Sequence, residues 1–275
     1  MDRIASTFNS IKTLNRTGLV AYITTGFPDV ETTRNLIPAM VQSGADIIEL
    51  GVPFSDPLAD GTVIQQSTNV ALNLGVTLSD CLDLISEVRE EVPNTPLILM
   101  GYYNPILSYG LRKFVAKCLE VGVDGLIVVD LPSEEMEPLQ HECQGTGLHI
   151  IPLLAPTSGE HRIAQTVANA SGFIYCVSVT GVTGARSEVS TRGFDLLSRV
   201  RQHTHLPLAV GFGISQRSHV EQVCAKADAA VVGSALVNII AKEAETGNLI
   251  PAVERYVTWL TRDIVPEASG GAPVT

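Results

Sequence analysis

The chain has 275 residues, of which 45% are hydrophobic and 17% charged, and its formal net charge is −11. So apolar a composition excludes an intrinsically disordered chain, and the length allows one large domain with an ample core. The acidic balance argues against nucleic acid as a partner, and the apolar runs fall well short of the roughly 18 residues that a membrane span needs.

In chain order, residues 3–13 read as a helix ahead of the first strand. Short apolar, β-branched runs then alternate with longer helical patterns. The strand candidates are 19–24, 46–50, 96–100, 125–129, 148–154, 173–178, 207–212 and 229–233. Most are continuously apolar, the mark of strands buried on both faces of a parallel sheet. Helical spacing falls at 32–41, 80–92, 111–121 and 194–204, another helix is expected to start near residue 61, and 235–264 reads as one long helical pattern. Strands alternating with helices in this way, within about 250 residues, predict the α/β class and a single (β/α)₈ barrel with an extra N-terminal helix. A doubly wound open sheet is the second choice. It fits fewer strands better, and its usual G-x-G-x-x-G is missing after the first strand, where the chain reads Thr24-Thr25-Gly26-Phe27-Pro28. The barrel domain is expected to span 1–265, with the Pro/Gly-rich 266–275 as a flexible tail.

Cysteines stand at 81, 118, 143, 176 and 224. Their odd number and wide spacing suggest neither a disulfide framework nor a zinc site, so reduced and mostly buried thiols are expected. Residues 1–15 lack the apolar stretch of a secretory signal. With no targeting peptide read in the chain, the expected location is the cytoplasm, or the plastid stroma for a protein of a photosynthetic eukaryote.

In such a barrel the active site lies at the C-terminal ends of the strands. There the sequence places Thr24 and Thr25, Glu49 with the loop Gly51 to Gly61, the run Met100 to Pro105, Asp130, Leu153, Tyr175, and the glycine-bearing ends at 211–213 and 233–234. The five lysines, at 12, 113, 117, 226 and 242, all fall elsewhere, which disfavours a Schiff-base aldolase. None of the six histidines lies at a strand's C-terminal end, which disfavours a metal-dependent aldolase. The acid–base candidates that remain are Glu49, Asp60, Asp130 and, further out, Asp56, with the phenols of Tyr102 and Tyr175. Glu49 sits among Ile47, Ile48, Leu50 and Val52, and desolvation there raises a carboxyl pKa toward the range useful for proton transfer. The competing reading has Glu49 turn into water or cap a helix. Asp60 is equally readable as an N-cap for the helix that follows it. Gly184, Gly211, Gly213 and Gly233, with Ser234 opening a helix, could offer N–H groups and a helix dipole to an anion. The loop from 179 to 193 reads as a closing lid or as a plain surface loop.

The run Ile48-Glu49-Leu50-Gly51-Val52-Pro53-Phe54-Ser55-Asp56-Pro57-Leu58-Ala59-Asp60-Gly61 resembles the signature of the tryptophan synthase alpha subunit family. So do Met100-Gly101-Tyr102-Tyr103-Asn104-Pro105, Gly181-Val182-Thr183-Gly184 and Gly211-Phe212-Gly213-Ile214, and the likeness extends from Leu19 to about Ile240. The resemblance implies a lyase of tryptophan biosynthesis that cleaves indole-3-glycerol phosphate, by a retro-aldol reaction, to indole and glyceraldehyde 3-phosphate. It implies Glu49 and Asp60 as the catalytic carboxylates, and it favours the functional reading of Asp60 over the cap. It also implies an indole pocket of Tyr22, Met100, Tyr102, Ile127, Val129, Leu153, Tyr175 and Phe212. The phosphate site would comprise Gly184, Gly213, Gly233 and Ser234, and the lid would carry Thr183 and Arg186. Tyr22 stands where the family often has Phe, and Met100 and Ile127 where it often has Leu, so a buried Tyr22 hydroxyl needs a partner.

The family uses no metal or organic cofactor in this subunit. Pyridoxal phosphate is expected only in a beta-subunit partner, within an α2β2 heterotetramer. Apolar and proline residues in the mouth loops suit such docking, with Pro53, Asp56, Pro57 and Asn104 as interface candidates. No nucleic acid or membrane partner is expected. The alternatives are a free-standing indole-releasing lyase without a beta partner, an isomerase of the same fold acting on a phosphorylated sugar, and a silent barrel that only activates a partner.

Overall fold

The computed structural model describes residues 2–177, 191–211, 213–224 and 226–261. Its strands are β1 (Gly18–Thr24), β2 (Ile47–Gly51), β3 (Leu97–Gly101), β4 (Gly125–Val128), β5 (His149–Ile150), β6 (Leu153–Leu154), β7 (Ile174–Val177), β8 (Leu208–Gly211) and β9 (Ala229–Val232). Every pairing between them is parallel, in the order β5-β4-β3-β2-β1-β9-β8-β7-β6.

The two ends of that order are consecutive in the chain, and this closes the sheet into a (β/α)₈ barrel. The run expected as one strand, 148–154, forms as two short pieces. Proline has no N–H to give to a ladder, and Pro152 stands between them. Ile151 N–H still donates to Leu126 O on the β4 side at 2.9 Å, while Pro152 O accepts from Tyr175 N–H on the β7 side at 3.0 Å. One extended segment therefore serves both neighbours in turn.

The barrel interior holds Val20, Ile47, Ile98, Ile127, Ile151, Phe173 and Val231. The helix Arg3–Thr13 adds Ile4, Phe8 and Ile11 to the same cluster, with Phe8 against Phe173 at a ring separation of 5.6 Å. Asp2 caps this helix by accepting from Ala5 N–H. Burying three such side chains contributes on the order of 5 kcal/mol before the entropy of ordering them. The extra N-terminal helix thus plugs one end of the barrel, and the other end stays available for chemistry. Close by, Asp124 accepts from Arg3, Arg89 and the N–H of Leu97 at 2.9 Å each. A second, larger cluster lies between the sheet and the surrounding helices.

Several helices differ from expectation. The expected long helix at 235–264 is two, Ser234–Glu243 and Leu249–Thr261. Between them Gly247 adopts φ +68°, a conformation that ends a helix, and Thr246 Oγ1 accepts from Asn248 N–H. Residues expected as loop after β3 form the short helix Tyr103–Tyr109. The alternation implies a helix after every strand without giving spans for three of them, which form at Glu137–Cys143, Glu160–Ala168 and Arg217–Cys224. Cys81, Cys118, Cys143 and Cys176 are free and buried. The proposed lid with Thr183, Gly184 and Arg186, the pocket residue Phe212 and the tail 266–275 lie outside the described residues.

Candidate active site

Residues paired in register on neighbouring strands share a face. Glu49 of β2 pairs with Tyr22 of β1 on one side and with Ile98 of β3, a residue of the barrel interior, on the other. Its side chain therefore points into the barrel, and only 1% of the residue is exposed. Among the described residues neither carboxyl oxygen has a hydrogen-bond partner. Burial raises its pKa to about 8, and the nearby negative charge of Asp60 adds to the rise. Near neutral pH this carboxyl is mostly protonated, with its O–H unengaged.

Asp60 does not cap the helix that follows. That helix, Thr62–Asn73, has Gly61 at its N-cap and no side-chain cap bond. Asp60 Oδ2 instead accepts from the Tyr102 hydroxyl at 3.1 Å, and the same phenolic oxygen accepts from Ala59 N–H at 3.1 Å. Phe54 stacks on the Tyr102 ring at 4.9 Å. Burial raises the Asp60 pKa while the Tyr102 bond lowers it. Two carboxylates thus share one region in unlike settings, one dry and unpartnered, the other half-buried and hydrogen-bonded. That is the arrangement in which two acids take separate roles.

Tyr22 and Tyr175 are buried beside this pair, and their pKa values are raised chiefly by burial and further by nearby negative charge, that of Asp60 and Glu49 at Tyr22 and that of Glu49 at Tyr175. Glycines make room for both rings. A Cβ at Gly51 would collide with the Tyr22 phenol, and one at Gly211 would lie 2.8 Å from the Tyr175 hydroxyl oxygen. The Tyr22 hydroxyl finds its partner in Thr24, and the direction of that bond can be fixed. Ser67 Oγ donates to Ile64 O at 2.8 Å, so Thr24 Oγ1 donates to Ser67 at 2.7 Å, and Tyr22 donates to Thr24 at 3.3 Å. Its proton is drawn away from Glu49. In the sequence Ser67 looks like one more member of an apolar helical face, and nothing local marks it as part of a polar chain.

Four further pocket candidates, Met100, Ile127, Val129 and Leu153, lie together. Met100 pairs with Ile127, and Leu153 with Tyr175. Val129, Met100 and Leu153 pack against the interior cluster that contains Ile127 and Tyr175. Gly233 adjoins this pocket, since a Cβ there would lie 3.4 Å from the Tyr22 ring. Gly213 and Ser234 line one cleft of about 390 Å³, and Ser234 opens the helix Ser234–Glu243. Asp130 belongs elsewhere. It is exposed, and its Oδ1 accepts from Tyr103 N–H at 2.8 Å, at the start of the helix Tyr103–Tyr109.

Of the docking candidates, Asp56 and Asn104 are exposed and Pro57 is half-exposed, whereas Pro53 is buried. Ile106, two residues beyond Asn104, is buried. Leu58, in the same loop as Asp56, is 95% exposed. Among the described residues no group of three or more His, Cys, Asp or Glu side chains could hold a metal ion, and no helix is long and apolar enough to cross a membrane.

The sequence model of the family described as tryptophan synthase alpha chain matches residues 8–258. The chain belongs to the tryptophan synthase alpha chain family. The tryptophan synthase alpha chain of Geotalea uraniireducens is 52% identical over 239 residues, covering 87% of this chain and 89% of that protein. That of Chloroflexus aggregans is 50% identical over 238 residues, covering 86% and 89%. Among solved structures, the tryptophan synthase alpha subunit of Legionella pneumophila superposes with a TM-score of 0.87 at 36% identity, over 96% of this chain and 98% of that one. A chain of tryptophan synthase from Mycobacterium tuberculosis superposes with a TM-score of 0.88 at 34% identity, over 96% and 98%. As a member of the tryptophan synthase alpha chain family, the protein is a carbon–carbon lyase of tryptophan biosynthesis that cleaves indole-3-glycerol phosphate.

Proposed function

We propose that Glu49 and Asp60 carry this cleavage, with the chain working as the alpha subunit of an α2β2 complex. The observation that supports the roles is the wholly buried, unpartnered Glu49 carboxyl beside the hydrogen-bonded Asp60. In its protonated form Glu49 gives a proton to indole C3, and the resulting positive charge spreads to the ring nitrogen. Asp60 accepts the indole N–H and stabilises that charge. The Glu49 carboxylate then takes the proton of the hydroxyl on the glycerol carbon bonded to C3. The C3–carbon bond breaks, its electron pair returns to the ring, an aldehyde forms, and Glu49 is left protonated as it began.

Tyr22, Met100, Tyr102, Ile127, Val129, Leu153, Tyr175 and Phe212 would surround the indole. Gly184, Gly213, Gly233 and the start of the Ser234 helix would hold the phosphate through main-chain N–H groups. A lid carrying Thr183 and Arg186 would exclude water and fix orientation. The barrel domain spans 1–265 in this reading, the location is the cytoplasm, and no nucleic acid takes part. This chain needs no cofactor, and pyridoxal phosphate belongs to the beta partner. The exposed Leu58, in one loop with Asp56 and Pro57, and the exposed Asn104 suit a docking surface.

The test is indole release by the Glu49→Gln variant, alongside equilibrium binding of glycerol 3-phosphate. Binding should persist while turnover falls by about 10²- to 10⁴-fold. Near-normal turnover would remove Glu49 from the chemistry. Adding a beta subunit should raise indole release, and an unchanged rate would favour the free-standing lyase.

A further inference from the structure

The segment Gly213–Ile214–Ser215 leaves β8 along the cleft that also contains Ser234. Gly213 adopts φ +62°, where residues with a side chain are rarely found. Glycine also has more conformational freedom than any other residue, so a segment that contains it keeps one shape only with outside support. Two side chains from other elements supply it at Ser215. The Tyr256 hydroxyl, on the helix Leu249–Thr261, donates to Ser215 O at 3.0 Å. His219 Nδ1, on the helix Arg217–Cys224, accepts from Ser215 N–H at 3.4 Å. Both main-chain polar groups of Ser215 are thereby tied, and the Ile214 side chain between Gly213 and Ser215 is buried.

Neither tie is explained by packing alone. His219 is buried, and accepting at Nδ1 places its proton on Nε2, which has no partner among the described residues. An apolar residue there would avoid that cost. Tyr256 is anchored from behind, because Val253, Val257 and Leu260 of its helix are buried. Burial lifts its pKa to about 12, so the hydroxyl remains a donor across the working pH range. The helix pins the tyrosine, and the tyrosine pins the loop.

We infer that Tyr256 and His219 are positioning residues that hold the Gly213–Ser215 backbone in its phosphoryl-binding shape. The inference rests on the reading of this cleft as the phosphate site. A loop fixed before the ligand arrives loses little freedom on binding, so its N–H groups meet the phosphoryl oxygens at full strength. Without the ties the ligand itself would have to order the loop.

The experiment uses the full chain and sn-glycerol 3-phosphate as probe. In Tyr256→Phe, which removes one oxygen, probe binding should weaken about three- to tenfold, the range expected for one lost hydrogen bond. KM for indole-3-glycerol phosphate should rise equally, while saturated kcat and the affinity for indole stay at wild-type values. His219→Leu should act in the same direction. His219→Asn, whose Oδ1 can accept in place of Nδ1, should restore binding. A residue that served the fold alone would move kcat, indole affinity and Tm together. Wild-type affinity for the probe in Tyr256→Phe would overturn the inference.

Gly213→Asp separates this failure from failure of the underlying reading. A carboxylate there should abolish probe binding if the phosphate site is where we place it. Should Gly213→Asp bind the probe normally, the phosphate site lies elsewhere and both readings fall. Should it lose binding while Tyr256→Phe does not, only the positioning roles fall.

Discussion

Replacing Glu49 by Gln should make the protein more resistant to alkaline conditions while nearly stopping its reaction. The unfolded chain ionises Glu49 near 4.5 and the folded chain near 8, because burial and the charge of Asp60 oppose ionisation. Each tenfold change in proton affinity is worth 1.36 kcal/mol. Ionising Glu49 in the fold is therefore about 5 kcal/mol harder than in the unfolded chain. The sign follows from proton counting. Between those two values the native state binds more protons than the unfolded state, so stability is fully present below pH 4.5 and is lost as pH rises through 8. Wild type should lose roughly 3–4 kcal/mol relative to Glu49→Gln between pH 5 and pH 8. Comparing the two proteins across pH cancels both the unmet amide bonds of the new Gln and the titration of groups not coupled to Glu49. Urea unfolding at several pH values, with matched m-values, measures the difference. Parallel stability curves for the two proteins would refute the account, because they would mean that Glu49 ionises in the fold as easily as in water.

Two further outcomes follow from contacts around the barrel. Tyr102→Phe removes the donor that holds the Asp60 pKa down. Asp60 should then protonate more readily, and the acidic limb of the kcat/KM profile should move to higher pH. An unmoved limb would dissociate Asp60 from the profile. Asp124→Ala strips the common partner from Arg3, Arg89 and the N–H of Leu97 at the plugged end. It should cost about 3 kcal/mol, as loss of one member of a buried ionic cluster does, and lower Tm by roughly 6–12 °C. Turnover at 25 °C should stay near wild type. A normal Tm would show that the cluster does not support the barrel.

Much of this protein is decided by short-range pattern. A run such as 19–24 is apolar at consecutive positions, and only a strand covered on both faces can bury it. Such runs recurring between helical stretches leave a closed parallel barrel as the economical solution, and the plug formed by Arg3–Thr13 shows its Ile4, Phe8 and Ile11 stripe openly. Glu49 is likewise legible, since a single acid inside an apolar strand has few places to go. The chain itself does not reveal what those groups meet. Asp60 and Tyr102 lie 42 residues apart, and Ser215 and Tyr256 lie 41 apart. The first bond exists because the closed barrel brings its strand-end loops together, and the second because the last helix packs beside the segment that follows β8. Local spacing left the cap and the carboxylate readings of Asp60 equally open, and the helix N-cap fell to Gly61 once Tyr102 engaged the acid. The break in the last helix and the burial of Pro53 and Ile106 have the same origin. A local pattern says which face is apolar, and the neighbours that cover it come from distant segments, so their identity is settled only when the whole chain has packed.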